Sequence, residues 1–158
     1  MTERTLGFIG AGNMNTAILN GVLGQGSVRP EQVWLSNRHA DKLSAFAAQG
    51  VHTTTDNREV AAHADLLVLG VKPQMFGDVL PELRDLTAGK CVVSIAAGIS
   101  CAYLRRELPG AKVVRAMPNT PLMVGVGATA VARSEDVSPE ELQQVLDLFA
   151  AAGTVALI

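Results

Sequence analysis

Apolar residues along the chain fall into two alternating patterns, short continuous runs and longer segments with helical spacing. TLGFIG near the N-terminus and ADLLVLGV at residues 64–71 are apolar almost throughout. Such runs are typical of strands that are buried on both faces of a parallel sheet. The same reading predicts further strands at QVWLS, VHTTT, CVVSIAAGI, AKVVRAM, GATAVA and TVALI.

The segments between these runs carry apolar residues at the spacing of helices. The clearest helix begins after Ser138, where a capping box with proline at the first helical position precedes an apolar stripe that ends at Gly153. A shorter helix is expected to bury Leu43, Phe46 and Ala47, and a glycine at position 50 stops it. The remaining helices are predicted to begin near Met14, Pro73 and Cys101.

Strands that alternate with helices predict an α/β fold. We expect a Rossmann-type doubly wound, mostly parallel sheet with helices on both faces and right-handed crossovers. The 158 residues suit one domain, which we assign to the whole chain, residues 1–158. Because the chain ends in an apolar strand without a polar tail, we expect that it has been cut from a longer protein.

Composition and charge narrow the possible functions. Apolar residues make up 48% of the chain and charged residues 18%, which indicates a folded domain. The net charge is −2 and the basic residues are scattered, so no nucleic-acid partner is expected. Cys91 and Cys101 are expected to be free thiols, and the three histidines lack metal-ligand spacing. Without a signal sequence or an apolar run of about 18 residues, no membrane contact and a cytoplasmic location are expected.

The first strand is followed at once by glycines in GFIGAGNMNTA. Gly10 permits a tight turn, and Gly12 lets a pyrophosphate approach bare backbone at the start of the first helix. That helix end offers unpaired N–H groups and a partial positive charge. The full fingerprint has a third small residue where helix and strand touch, but this chain has Asn15 there. The alternative is an ordinary glycine-rich turn between a strand and a helix.

The second strand ends in Ser36, Asn37 and Arg38, where an NAD-binding protein usually has a carboxylate for the ribose hydroxyls. A hydroxyl, an amide and a guanidinium instead suit a 2′-phosphate. Since a hydrogen bond to a charged group contributes about 1.5–3 kcal/mol, NADPH should be favoured over NADH by about tenfold to a hundredfold. The alternative is that Arg38 is simply solvated at the start of a helix.

Ligands of a doubly wound sheet bind beyond the carboxyl ends of its strands. Lys72 and Pro73 follow the fourth strand, and the small residues Ala96 and Ala97 follow the fifth, leaving room for nicotinamide. The loop RAMPNTP follows the sixth strand, and its two prolines stiffen the segment around Asn119. Lys72 alone is equally compatible with an ordinary loop lysine.

The motifs GFIGAGNM, SNR, VLGVKPQ, SIAAGI and RAMPNTP, in this order, resemble the N-terminal domain of pyrroline-5-carboxylate reductase. The resemblance implies NADPH-dependent reduction of 1-pyrroline-5-carboxylate to L-proline, the last step of proline biosynthesis. It implies NADP(H) as cofactor, with NAD(H) at lower affinity. The implied contacts are Ile9, Gly10, Ala11, Gly12, Asn13 and Met14 at the pyrophosphate, Ser36 and Arg38 at the adenosine-side phosphate, Asn57 at the adenosine, Gly70, Val71, Lys72, Pro73, Ile95, Ala96 and Ala97 at the middle and nicotinamide end, and Asn119 near the nicotinamide.

The chain departs from this family in two respects. Asn15 stands where the family usually has alanine, and we expect a local packing adjustment with binding retained. The family also continues with a helical domain that forms the dimer and most of the substrate pocket, and this chain lacks it. We therefore expect a homo-oligomeric full-length protein and an inactive isolated fragment, and we assign no catalytic residue and no metal.

Two other functions remain open at this point. One is a stand-alone nucleotide-sensing module without catalysis. The other is a different small NADP-dependent reductase, of the 3-hydroxyacid dehydrogenase type, although such a protein should lack the RAMPNTP loop.

Overall fold

The computed structural model describes residues 5–26, 28–96, 98–118, 127–133, 136–151 and 153–157. Within these ranges the strands are β1 (Leu6–Ile9), β2 (Val33–Ser36), β3 (His52–Thr54), β4 (Leu66–Leu69), β5 (Cys91–Ser94), β6 (Lys112–Pro118), β7 (Gly127–Arg133) and β8 (Gly153–Leu157). They form one eight-stranded sheet in the order β3-β2-β1-β4-β5-β6-β7-β8. Neighbouring strands from β3 to β6 are parallel, β7 is antiparallel to β6, and β8 is parallel to β7.

The helices lie on both faces of this sheet. They are α1 (Asn13–Gln25), α2 (Ser44–Ala47), α3 (Asn57–His63), α4 (Phe76–Leu83), α5 (Cys101–Glu107) and α6 (Pro139–Ala150). Helices α1, α2 and α6 pack in one apolar cluster, and α3, α4 and α5 pack in a second cluster on the opposite face. Successive residues of the central strands alternate between the two clusters, because side chains of a strand point to opposite faces. The predicted doubly wound fold is confirmed.

Several details differ from the sequence-based expectations. Helix α2 is a single turn in which Phe46 is buried but Ala47 is exposed, so only part of the predicted inward face exists. Helix α6 ends at Ala150, and Gly153 begins β8 rather than closing the helix. The sequence pattern did not reveal α3, because its seven residues bury only Val60 and Ala61.

A partly buried ion pair connects α6 to the sheet. The predicted capping box is present: Ser138 Oγ accepts the Glu141 N–H at 3.1 Å, and Glu141 Oε1 accepts the Ser138 N–H at 3.0 Å. Lys112 Nζ on β6 also donates to Glu141, at 3.1 and 3.3 Å from its two oxygens. Burial acts to raise the pKa of this carboxyl, but the hydrogen bonds from Ser138 and Lys112 outweigh it and lower the pKa.

Candidate functional site

The carboxyl ends of the central strands meet along one edge of the sheet. Ile9 is in register with both Ser36 and Leu69, and Leu69 is in register with Ser94. The loops that carry the predicted contacts leave from this row. The structure therefore brings the glycine loop, the segment after β2, the segment after β4 and the start of the segment after β5 to one crevice, where doubly wound sheets bind ligands.

The glycine loop between β1 and α1 forms an open cradle. Gly10 adopts φ +97°, and its N–H donates to the Ser36 carbonyl at 2.8 Å, so the turn is tied to β2. Gly12 is the N-cap of α1, and no side chain in the described part of the protein caps this helix. A Cβ on Gly12 would be 3.8 Å from the Gly70 carbonyl oxygen, an ordinary contact. Glycine at position 12 is therefore not needed to avoid a clash with Gly70. Its bare backbone instead leaves the open space that an approaching anion requires.

The packing of Asn15 shows how a large residue fits at the third position of the fingerprint. Its side chain is 1% exposed, and Nδ2 donates to the Gly10 carbonyl at 2.8 Å and to the Ile9 carbonyl at 3.2 Å. A Cβ on Gly70 would lie only 2.2 Å from that Nδ2. The small residue at this close contact between helix and strand is therefore Gly70, which follows β4, instead of a residue of the helix. Asn15 Oδ1 is buried without a hydrogen-bond partner in the described structure.

The residues after β2 make more internal contacts than the sequence suggested. Asn37 Oδ1 accepts the Ala11 N–H at 3.1 Å, and its Nδ2 donates to the His39 carbonyl at 3.1 Å. Asn37 therefore ties the glycine loop to the segment after β2. Arg38 is exposed and forms no ion pair with the residues that the structure describes, so its guanidinium is available to a ligand.

Ser36 begins a chain of polar contacts across α3. Its buried hydroxyl donates to Asn57 Oδ1 at 2.8 Å, and Asn57 Nδ2 donates to Glu82 Oε2 on α4 at 3.2 Å. Sequence reasoning found Ser36 and Asn57 but missed Glu82. No motif contains it, because only the packing of α4 against α3 places it beside Asn57.

Arg58 of α3 contacts both the end of α4 and Asp85, two residues beyond that helix. The Arg58 guanidinium donates to both oxygens of Asp85, at 2.8 and 3.0 Å, and to the Glu82 backbone carbonyl at 2.6 Å. Its hydrogen bond holds the pKa of Asp85 below the ordinary value, and the same contact raises the pKa of Arg58. The hydrogen bond from Arg58 to the Glu82 carbonyl thus ties α3 to the part of α4 from which Glu82 reaches Asn57.

The other predicted contact residues that the structure describes lie at the same edge of the sheet. Val71 is half-buried against the second apolar cluster, while Lys72 and Pro73 are exposed at the start of the turn that precedes α4. The Ile95 N–H donates to the Leu69 carbonyl at 3.4 Å, and Ala96 is buried beside it. Ala97 and Asn119 lie outside the described residues, as does the side chain of Asn13; Met14 is half-buried against the first cluster.

Neither a metal cluster nor a membrane helix is found in the described ranges. No group of three or more His, Cys, Asp or Glu side chains there is arranged to hold a metal ion. None of the helices there combines the length and apolar character needed to cross a bilayer.

Known proteins resemble the chain over nearly all of its length. It is 40% identical over 159 aligned residues to the pyrroline-5-carboxylate reductase of Escherichia coli (strain K12), covering 99% of this chain and 59% of that protein. A solved pyrroline-5-carboxylate reductase from Coxiella burnetii superposes with a TM-score of 0.95 at 36% identity, covering 99% of this chain and 59% of that one. The Plasmodium falciparum pyrroline carboxylate reductase with NADP bound gives a TM-score of 0.88 at 27% identity, covering 100% and 58%.

These relatives confirm the resemblance that the motifs suggested. The chain spans about three-fifths of the length of each, 59% in the Escherichia coli protein. Residues 5–98 also match the family described as NADP oxidoreductase coenzyme F420-dependent. Because that match covers more than half of the 158 residues, the chain belongs to this oxidoreductase family.

Proposed function

We propose that this chain is the coenzyme-binding domain, residues 1–158, of a pyrroline-5-carboxylate reductase that forms L-proline with NADPH. The observation that carries the proposal is the 40% identity to the Escherichia coli reductase through 99% of the chain. That span includes every loop at the carboxyl edge of the sheet. A likeness confined to the glycine loop would support only a nucleotide-binding fold.

The geometry of the crevice fits a dinucleotide with a 2′-phosphate. The Gly10 turn and the uncapped start of α1 suit the pyrophosphate, and the open space at Gly12 allows it to approach. Arg38, which forms no ion pair with the described residues, would lie beside the adenosine ribose, and guanidinium groups bind phosphate with two parallel hydrogen bonds. The NADP in the Plasmodium falciparum relative supports NADP(H) over NAD(H).

The remaining proposed contacts are divided between the two ends of the coenzyme. Ser36, Asn37 and Asn57 shape the adenosine side, while the segments after β4 and β5 receive the middle and the nicotinamide end. Bound NADPH supplies the hydride for the C=N bond of 1-pyrroline-5-carboxylate, and this chain binds and orients it. The full list of proposed contacts is Ile9, Gly10, Ala11, Gly12, Asn13, Met14, Ser36, Asn37, Arg38, Asn57, Gly70, Val71, Lys72, Pro73, Ile95, Ala96, Ala97 and Asn119.

The rest of the reaction requires residues that this chain does not contain. A helical domain following these residues would complete the substrate pocket and join two or more copies into a homo-oligomer. A cytoplasmic location is part of the same proposal, as are a small-molecule substrate and no nucleic-acid or membrane partner.

The proposal is tested by assaying the full-length protein with 1-pyrroline-5-carboxylate and each coenzyme. We expect loss of NADPH absorbance that depends on the substrate, matched by L-proline measured by chromatography, and slower loss with NADH. Residues 1–158 alone should bind NADPH without turnover. Absence of proline formation by a full-length protein that binds NADPH would rule out the proposed reaction.

A further inference from the structure

We propose that Glu82, on the outer surface of α4, is a positioning residue that sets the orientation of the Asn57 amide and so the preference for the phosphorylated coenzyme. The inference rests on the proposed function, since it concerns the adenosine side of that site. It starts from the polar chain in which Ser36 donates to Asn57 at 2.8 Å and Asn57 donates to Glu82 at 3.2 Å.

The two neighbours of Asn57 constrain its amide differently. The Ser36 hydroxyl both donates and accepts, so it can pair with either end of an amide. An ionised carboxylate only accepts, so Glu82 can pair only with the amide nitrogen. It is therefore Glu82 that directs Nδ2 towards α4 and leaves Oδ1 facing the end of β2.

Contacts of Arg58 with the end of α4 and with Asp85, just beyond that helix, keep Glu82 within reach. Arg58 follows Asn57 in α3 and holds Asp85 at 2.8 Å and the Glu82 backbone carbonyl at 2.6 Å. The Asp56 side chain caps α3 by accepting the Arg58 N–H at 3.0 Å, which fixes the first turn of this helix. Three separate contacts thus define where Asn57 and Glu82 meet.

The orientation of Asn57 matters because it is half-buried beside the end of β2, whereas Ser36 is fully buried and Glu82 is exposed on α4. Among the residues that the structure describes, Asn57 Nδ2 donates to Glu82, so in this orientation its second N–H remains to be donated. A phosphate dianion only accepts hydrogen bonds, so it requires that donor and is repelled by an amide oxygen. A ribose hydroxyl both donates and accepts, so NADH tolerates either orientation.

An orienting role for Glu82 predicts an effect on phosphate binding opposite to that of its charge alone. Removing a carboxylate near a phosphate site should strengthen phosphate binding through Coulomb's law. Removing the acceptor that orients Asn57 should weaken phosphate binding, because the Asn57 amide is then free to reverse. Glu82→Gln removes the charge at nearly constant shape and allows both amide orientations, so it separates the two effects.

The experiment is titration of NADPH and NADH against the wild-type protein, Glu82→Gln and the control Glu59→Gln. Glu59 is an exposed residue of α3, and its replacement removes the same charge without a contact to Asn57. We expect Glu82→Gln to lower the NADPH-to-NADH affinity ratio by about threefold to tenfold, with an unchanged melting temperature. Glu59→Gln should leave the ratio unchanged or raise it slightly.

The outcomes separate this inference from the proposed function. A ratio that is unchanged or raised in Glu82→Gln overturns the orienting role while the proposed function stands. A wild-type protein that binds neither coenzyme overturns the proposed function and this inference with it. A lowered ratio in Glu82→Gln but not in Glu59→Gln supports the positioning role, because a merely structural contact would not discriminate between the coenzymes.

Discussion

Replacing Gly70 with alanine tests how the glycine loop is packed. The added Cβ would lie 2.2 Å from Asn15 Nδ2, 2.4 Å from Cγ and 2.7 Å from Oδ1, all far inside van der Waals contact. Gly70 does not have a positive φ, so alanine would be compatible with its backbone. The three nearest atoms all belong to Asn15, which must move and give up its hydrogen bonds to the Ile9 and Gly10 carbonyls.

The expected cost combines overpacking with lost hydrogen bonds. Overpacking a core costs about 1–3 kcal/mol, and each of the two hydrogen bonds contributes about 1 kcal/mol, so we expect a loss of about 3–5 kcal/mol. For a domain of this size, that corresponds to a melting temperature lower by roughly 6–20 °C. Urea unfolding gives the free energy of unfolding. NADPH titration should show weaker binding, because the Ile9 and Gly10 carbonyls lose the hydrogen bonds that hold the glycine loop in place.

A second substitution turns this into a double-mutant cycle. Asn15→Ala alone removes two hydrogen bonds but also an unpaired buried oxygen, so we expect a change of only about 1 kcal/mol. Gly70→Ala combined with Asn15→Ala should be about as stable as Asn15→Ala alone, because the alanine Cβ then has room. Gly24→Ala in α1 is the control; a Cβ there meets nothing within 4 Å. If the effects of Gly70→Ala and Asn15→Ala simply add, the packing argument fails.

Two further predictions concern charge. Arg38→Asp should weaken NADPH binding by about tenfold to a hundredfold and NADH binding much less, because only NADPH presents a phosphate to this position. Both coenzymes are titrated against the variant, and equal losses of affinity would contradict this role of Arg38. The lowered pKa of Glu141 means that its stabilising contribution is complete above the ordinary value of 4.5 and is lost as the pH falls through the lower folded-state pKa. Unfolding followed against pH should therefore show a steeper acid loss in the wild type than in Glu141→Gln, and superimposable profiles would argue against the partly buried pair.

Much of the crevice was predictable because local chemistry specifies it. Gly10 must take a positive φ in a tight turn, and this requirement is visible in the glycine spacing alone. The Ser138 capping box likewise needs only residues close in sequence. The contacts around Asn15 were not predictable, because they depend on a glycine 55 positions away that meets it only when β4 lies beside β1.

The same distinction applies to the adenosine side. Ser36, Asn37 and Arg38 were recognised as the residues that end β2, but the sequence suggested three donors facing a phosphate. The structure shows Ser36 hydrogen-bonded to Asn57 and Asn37 hydrogen-bonded to the glycine loop, whereas Arg38 has no ion pair within the described ranges. Side-chain partners from distant elements decide which donors are available, and a linear pattern does not contain that information.

The sequence by itself determined most of the alternation of strands and helices, the glycine turn and the capping box at Ser138, because hydrophobic period and backbone conformation depend on near neighbours. Tertiary structure alone decided that β7 runs antiparallel to β6, that Gly70 makes room for Asn15, and that Glu82 reaches Asn57. These features arise from strand order and helix packing, which join residues far apart in the chain.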